Sequence, residues 1–449
     1  TLTYPKSKFL AFFCTFTCYN NYHIMAIILK NTCYVDWNTL EFRNCSIKIY
    51  PGIGGKIIFF GEDEKPDIGP DDEVMDCTGK MVTKSFVVGH HHVYSALARG
   101  MPSPEKTPSN FTEVLQYIWW KLDQALDKDM IEASALATAI ACVKSGSTFA
   151  IDHHASPNCI PGSLEIIADA FEKIGISHLL CYEITDRYGT ANALKGLEET
   201  ENYLLNHQGL VGLHASFTVE NDTLQRSVEL MHKTNSGIHI HVAEDKADQQ
   251  HCLQNHGQRV VERLKDAGVL DSPKSILVHC LHLDDKERSH ISGSPVWVVQ
   301  NMDSNLNNQV GRFNSNGLGQ RIMLGTDGMH SDMLKSAKSA FFAGQGFDQI
   351  DYYETYKRFR NAHNYLNSNS YSGDGENNLV VLDYDSPTKI HLENFLGHFI
   401  FGIESRHITH LISDGEWVLK NRMLQKVNEH EILEFTREQS LRLWKKLKN

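Results

Sequence analysis

Phe86-Val87-Val88-Gly89-His90-His91-His92 is the stretch on which the reading of this chain turns. An apolar run with β-branched residues, closed by a glycine, reads as a buried strand, and side chains two apart on a strand share a face. His90 and His92 therefore stand together while His91 points away. Two imidazoles at the end of a rigid strand supply two corners of a metal coordination sphere, because neutral imidazole nitrogen suits zinc and iron. An isolated His-x-His is more often incidental, so the weight falls on the histidines and carboxylates further along the chain.

Strand-like runs then alternate with helical ones in the manner of repeated βα units. After 86–90 they fall at 147–152, 176–182, 210–214, 237–241, 275–279, 296–299 and 321–327, which makes eight. Helical spacing fills the gaps, with Val114, Ile118, Leu122 and Leu126 at every fourth position, then Leu224, Val228 and Met231. Eight such units in about 250 residues predict an α/β fold, a parallel (β/α)₈ barrel of the TIM type whose chemistry sits at the C-terminal ends of its strands. A doubly wound open sheet is the alternative.

The barrel is flanked by strand patterns at both ends of the chain. At the near end they lie at 26–29, 46–50 and 56–60, with Pro51-Gly52 and Gly54-Gly55 as turns, and at the far end at 378–382, 407–412 and 417–419. Neither set has enough strands for its own core, so the two are expected to join in one small β-sandwich. The expected organisation is a sandwich from 25–83 and 376–425, a barrel over 84–345 and a C-terminal helix over 426–449. Residues 1–24 imitate a signal peptide's charged start and apolar middle, but no small-residue cleavage site comes after them. They read as an upstream, non-native extension, with the fold starting at Met25.

The chain of 449 residues has a formal charge of −12 and a pI near 6.0. Neither phosphate backbones nor acidic lipids attract such a surface, which argues against nucleic-acid and membrane partners. Its ten cysteines are scattered and read as reduced thiols of a cytoplasmic protein. A homo-oligomer is compatible with this composition.

His90 and His92 close the first expected strand, His241 the fifth, His279 the sixth and Asp327 the eighth. Side chains at one end of a closed barrel converge on a common cavity. Imidazoles and a carboxylate meeting there can bind one divalent metal and leave a position open for water. Spacing alone does not choose between His239 and His241, which share a face.

These pieces resemble the amidohydrolase superfamily, through His90-His91-His92, His239-Ile240-His241-Val242-Ala243-Glu244, Val278-His279-Cys280-Leu281-His282, the run 301–311 and Leu324-Gly325-Thr326-Asp327-Gly328. Within it the chain is most similar to the SsnA-type aminohydrolases, through Trp119-Trp120-Lys121-Leu122-Asp123, Asp152-His153-His154-Ala155-Ser156-Pro157 and Gly328-Met329-His330-Ser331-Asp332-Met333. The resemblance implies one metal, zinc before iron, on His90, His92, His241 and Asp327. It further implies that Glu244 shuttles a proton, that His279 hydrogen-bonds the water or oxyanion, and that His214 touches the substrate. Asp152-His153-His154 is expected to be structural.

Three features depart from the family: Lys84-Ser85 stands where Pro-Gly is usual, Gln300 replaces a histidine, and 344–375 is short and polar where the family has further helices. Packing around the barrel's closure is therefore expected to be incomplete. The expected function is a metal-dependent hydrolase that removes an amino group, or less readily a chloride, from a small nitrogen heterocycle. The alternative is a catalytically silent metal-binding barrel that serves as an interaction partner. A proton shuttle at Glu244 and His279 favours the enzyme.

Overall fold

The computed structural model describes residues 25–448, so the expectation for 1–24 lies outside the described residues. The chain opens with β1 (Ile27–Val35), β2 (Phe42–Ile49), β3 (Ile57–Phe60), β4 (Glu73–Asp76) and β5 (Met81–Lys84). Eight parallel strands come next: β6 (Phe86–His91), β7 (Ser147–His154), β8 (Ser177–Ile184), β9 (Val211–Ala215), β10 (Ile238–Val242), β11 (Ile276–His279), β12 (Trp297–Gln300) and β13 (Ile322–Leu324). Four strands end the series, β14 (Leu379–Leu382), β15 (Ile408–Ser413), β16 (Glu416–Lys420) and β17 (Met423–Leu424), before a helix over Glu429–Leu447.

The strands β6 to β13 pair in sequence order, and a parallel bridge from His91 to Asp327 joins the last to the first. The expected barrel is therefore present, and all eight anticipated strands are in it. Gly89 is needed at the closure, because a Cβ there would lie 2.5 Å from the Leu324 carbonyl oxygen. Val87 packs inside the barrel with Phe149, Ile276 and Val278, and strict alternation from it would turn His90 outward. A register irregularity between Val88 and His91 turns it back in, as β-bulges do beside active sites.

The terminal strands form one hydrogen-bonded sheet that folds over on itself. Asn31, at φ 56°, bends β1, so that its first half pairs with β4 and its second with β5, while β2 runs along both. Ile47, Ile49, Phe59 and Met75 from one layer then enclose a core with Val82, Leu379, Val381 and Ile412 from the other. This is how a single sheet makes a sandwich core. Strands β4, β5 and β17, each two to four residues long, escape the sequence reading.

The expectation for 344–375 is corrected. A helix over Tyr352–Ser368 occupies this region, after one over Met333–Gly344 that ends where the region begins, and it closes the N-terminal mouth of the barrel. Ala362, Tyr365 and Leu366 join the barrel's internal core. Its polar residues bind backbone at the strand starts. Arg360 Nη1 donates to the carbonyls of Lys84 (3.1 Å) and Ser85 (2.9 Å), Asn361 Nδ2 to Ile322 O (2.7 Å) and Tyr365 Oη to Lys274 O (2.8 Å). The departures at Lys84 and Gln300 are both answered by this part of the chain, Lys84 at the floor and Gln300 on the outer face at the end of β12. Lys84 Nζ donates to the Gly375 carbonyl (2.8 Å), and Gln300 Oε1 accepts from Arg358 Nη1 (2.9 Å).

Arg358 also holds Asp348 at 2.6 Å, both side chains having no exposed surface. Breaking a buried pair leaves an uncompensated charge, at a cost of about 3–5 kcal/mol. Arg358→Ala is therefore expected to lower the unfolding free energy by about that amount in urea titration. A loss of only about 0.5 kcal/mol, the scale of surface substitutions, would show that this helix contributes little to the floor.

Candidate metal centre and active site

Three histidines present bare ring nitrogens to one point, and the hydrogen bonds around them fix which nitrogens are bare. His92 Nδ1 lies 2.6 Å from the His153 carbonyl and His241 Nδ1 lies 2.9 Å from the His214 carbonyl. A carbonyl only accepts, so each Nδ1 carries the hydrogen and each Nε2 is a lone pair. Those two Nε2 atoms face each other at 3.2 Å. A longer relay sets His90: the Cys181 thiol donates to the Asp152 carbonyl (3.5 Å), leaving its sulfur to accept from His239 Nδ1 (3.5 Å). His239 Nε2 must then accept from His90 Nδ1 (2.9 Å), so His90 Nε2 is bare, and this buried atom has no partner among the described residues.

Facing lone pairs repel unless a cation sits between them. A proton is disfavoured, since burial and the surrounding imidazoles hold His90 and His241 well below the ordinary histidine range. A divalent metal fits, because neutral imidazole and carboxylate are its ordinary ligands. The ligand atoms of His90, His92 and His241 all lie within 4.8 Å of one another, as do those of His90, His279 and Asp327. Asp327 Oδ1 is 3.3 Å from His92 Nε2 and 3.9 Å from His90 Nε2. Burial raises the Asp327 carboxyl, but the His92 and His279 imidazoles outweigh it and keep the group below the usual carboxylate range.

His279 differs in tautomer. Asn305 Nδ2 donates to its Nδ1 (2.8 Å), so Nε2 carries the hydrogen and faces Glu244 Oε2 (3.4 Å) and Asp327 Oδ2 (3.6 Å). That makes His279 a donor beside the cluster and not a fourth imidazole ligand. Burial, reinforced by Asp327, pushes the Glu244 carboxyl well above its ordinary range, which suits a group that must carry a proton. The turn that aims Glu244 is held by Asp248, whose Oδ2 accepts from Ala243 N (2.9 Å). Ala243, His279, Cys280 and Asp327 all have positive φ, from 47° to 71°, just where β10, β11 and β13 end. Left-handed non-glycine residues are costly and gather where function over-determines the backbone.

His214 Nδ1 lies 2.7 Å from Thr218 Oγ1, whose own hydrogen goes to the Ala215 carbonyl (3.2 Å). Its Nδ1 therefore donates, and Nε2 is left as an acceptor. Burial and the Arg187 charge push its pKa down to about 3, so it stays neutral. His92, His214, His241, Glu244, His279 and Asp327 line one cavity, whose far side is formed by Tyr94, Trp119, Trp120, Asp123, Glu183 and Arg187. The structure thus brings together all the residues singled out at the strand ends. His91 turns away to Ser331 Oγ (2.7 Å), and Asp152 Oδ1 accepts from Val93 N (2.7 Å), bracing the turn after His92.

The sequence reading misses the supports: Cys181, His239, Asp248 and Asn305, together with Glu183 and Arg187 in the cavity wall. His239 carries a signal, since it shares a face with His241. The helix expected through Val114, Ile118, Leu122 and Leu126 is interrupted by a π turn over Leu115–Trp119, which shifts its register. Such turns recur at functional sites.

Fold and site together define a class: a (β/α)₈ barrel enzyme with a metal-binding cluster at the carboxyl ends of its strands. The chain matches the model of the amidohydrolase family over residues 81–368, and it belongs to that family. It is 26% identical over 435 residues to the 5-methylthioadenosine/S-adenosylhomocysteine deaminase of Thermoanaerobacter pseudethanolicus, covering 91% of this chain and 97% of that one. It is 28% identical over 338 residues to the 5'-deoxyadenosine deaminase of Methanopyrus kandleri, covering 70% and 76%. Among solved structures it is similar to an adenosine deaminase from Xanthomonas campestris with bound zinc, at TM-score 0.79 and 17% identity over 93% of this chain and 98% of that one. The atrazine chlorohydrolase of Arthrobacter aurescens complexed with zinc gives TM-score 0.79 and 14% identity over 92% and 100%. No helix among the described residues is long and apolar enough to cross a membrane.

Proposed function

We propose that the protein is a zinc-dependent aminohydrolase that removes an exocyclic amino group from a nitrogen heterocycle, with His90, His92, His241 and Asp327 as ligands. The observation that carries the reading is the convergence of three bare imidazole nitrogens and a carboxylate beside the buried Glu244 carboxyl, whose Oε2 stands 3.4 Å from His279 Nε2. A divalent ion held by these four residues would lower the pKa of a water toward neutrality and so supply a nucleophile. Glu244, as the carboxylate, is the group placed to take up a proton beside it. His279, through Nε2–H, steadies the oxygen as it bonds to the ring carbon. Glu244 then delivers the proton to the departing nitrogen, the C–N bond breaks and ammonia leaves. His214 accepts a hydrogen bond from a ring N–H or amino group.

The names of the relatives direct the first assays to adenine nucleosides, followed by free purines, pyrimidines and triazines. Zinc-replete protein is expected to release ammonia from at least one of these, and to stop when the metal is chelated. Turnover of none of them by protein that holds its metal would favour the silent-barrel reading.

A further inference from the structure

Among the described residues Arg187 is the one guanidinium in the cavity wall, and it is only partly used. Its Nη2 donates to Glu183 Oε1 (2.9 Å) and Asp123 Oδ2 (3.3 Å), and its Cζ lies 4.9 Å from the Trp120 ring centre. Its Nε and Nη1 have no partner among the described residues, although the side chain is 6% exposed. A buried charged donor without an acceptor is costly, so such a group in a cavity wall is held for a ligand. Its neighbours fix it in place: Trp120 supports the guanidinium face, Glu183 and Asp123 grip one edge, and Tyr188 Oη holds Asp123 Oδ1 at 3.2 Å.

Glu183 is the carboxylate nearest the guanidinium, and burial pushes the Asp123 carboxyl up to about 8 despite Arg187 beside it. Glu183 is shared, since its Oε2 lies 3.3 Å from His153 Nδ1. Its ligand oxygen also lies within 4.8 Å of the His214 and His241 nitrogens, so one small ring spans from the candidate metal cluster to Arg187.

We infer that Arg187 is the specificity-determining residue of this cavity, and that the substrate carries an oxygen acceptor, a ring oxo group or a carboxylate, on the edge remote from the reacting carbon. The inference rests on the aminohydrolase reading for what happens at the other edge. Arginine suits the task because its fork presents two N–H donors in one plane, which a carbonyl or carboxylate oxygen accepts and an unsubstituted ring edge satisfies less well. Asp123 and Trp120 belong to the Trp-Trp-Lys-Leu-Asp stretch, whose place beside Arg187 gives that motif a role as the guanidinium's mount.

The test is equilibrium binding to zinc-replete protein, read by calorimetry and by quenching of tryptophan fluorescence. The probes are purine, 8-hydroxypurine and purine-8-carboxylate, which share one ring system and carry their oxygen on the edge remote from C6, where an adenine nucleoside would react. Wild type is expected to bind one or both oxygen-bearing probes roughly 10- to 100-fold more tightly than purine, the worth of a charge-assisted hydrogen bond. Arg187→Met should abolish that preference. Arg187→Lys, which keeps a charge beside Glu183 and Asp123 and so guards against misfolding, should retain only part of it. An advantage shown by 8-hydroxypurine assigns a ring oxo group, and one confined to the carboxylate assigns an acidic substituent. Equal binding of all three, binding of none, or a preference that survives in both variants overturns the inference. Ammonia release is scored separately: its absence with the preference intact sinks the aminohydrolase reading alone, and its presence with no preference sinks the Arg187 subsite alone.

Discussion

Asp327→Ala is expected to lose metal and activity together, the metal content falling from about one ion per chain toward none, since a site of this kind rests on its full ligand set. The carboxylate is the only anionic member of the candidate ligand set, and it stands 3.3 Å from His92 Nε2 and 3.9 Å from His90 Nε2. Its removal leaves three neutral imidazoles around a divalent charge. The variant also keeps a left-handed residue, at φ 51°, that alanine adopts no more readily than aspartate. Elemental analysis of protein purified without chelator reads the result, and circular dichroism confirms that the fold persists. Full metal retention would remove Asp327 from the ligand set and the proposed site with it.

The positions involved are legible in the sequence because of barrel geometry: once eight strands are counted, their last residues must meet. His90, His92, His241, His279 and Asp327 can be placed in this way, before any resemblance assigns them roles. What cannot be read is whatever depends on the third dimension within a strand or across a face. Strict alternation from Val87 would turn His90 outward, and only the irregularity between Val88 and His91 reverses it. The relay from Cys181 through His239 that bares His90 Nε2 joins residues 58 and 149 positions apart, a distance no local pattern records. The helix over Tyr352–Ser368 escapes the sequence reading for a different reason. Periodicity counts apolar residues, and beside Tyr356, Phe359, Ala362 and Leu366 this helix also buries Arg358, Arg360, Asn361 and His363, satisfying them on carbonyls, amides and carboxylates around the barrel. A polar face that is fully hydrogen-bonded looks, in sequence, like a solvated one.

Glu244→Gln separates chemistry from metal binding. The glutamine is isosteric and can still accept from Asn308 Nδ2, which lies 3.4 Å from Glu244 Oε1, so the turn held by Asp248 is undisturbed. An amide cannot take up and return a proton, and the rate should fall by about 10² to 10⁴, the range typical of general acid–base groups. Metal content should stay unchanged, in contrast to Asp327→Ala, because Glu244 faces His279 and stands outside the ligand set. KM should move little, since the proposed substrate contacts with His214 and the far wall are left intact. The drop should therefore appear in kcat and kcat/KM alike, the signature of an interaction made in the transition state. Full activity in this variant would move the proton to another carrier, and a loss of metal would place Glu244 among the ligands.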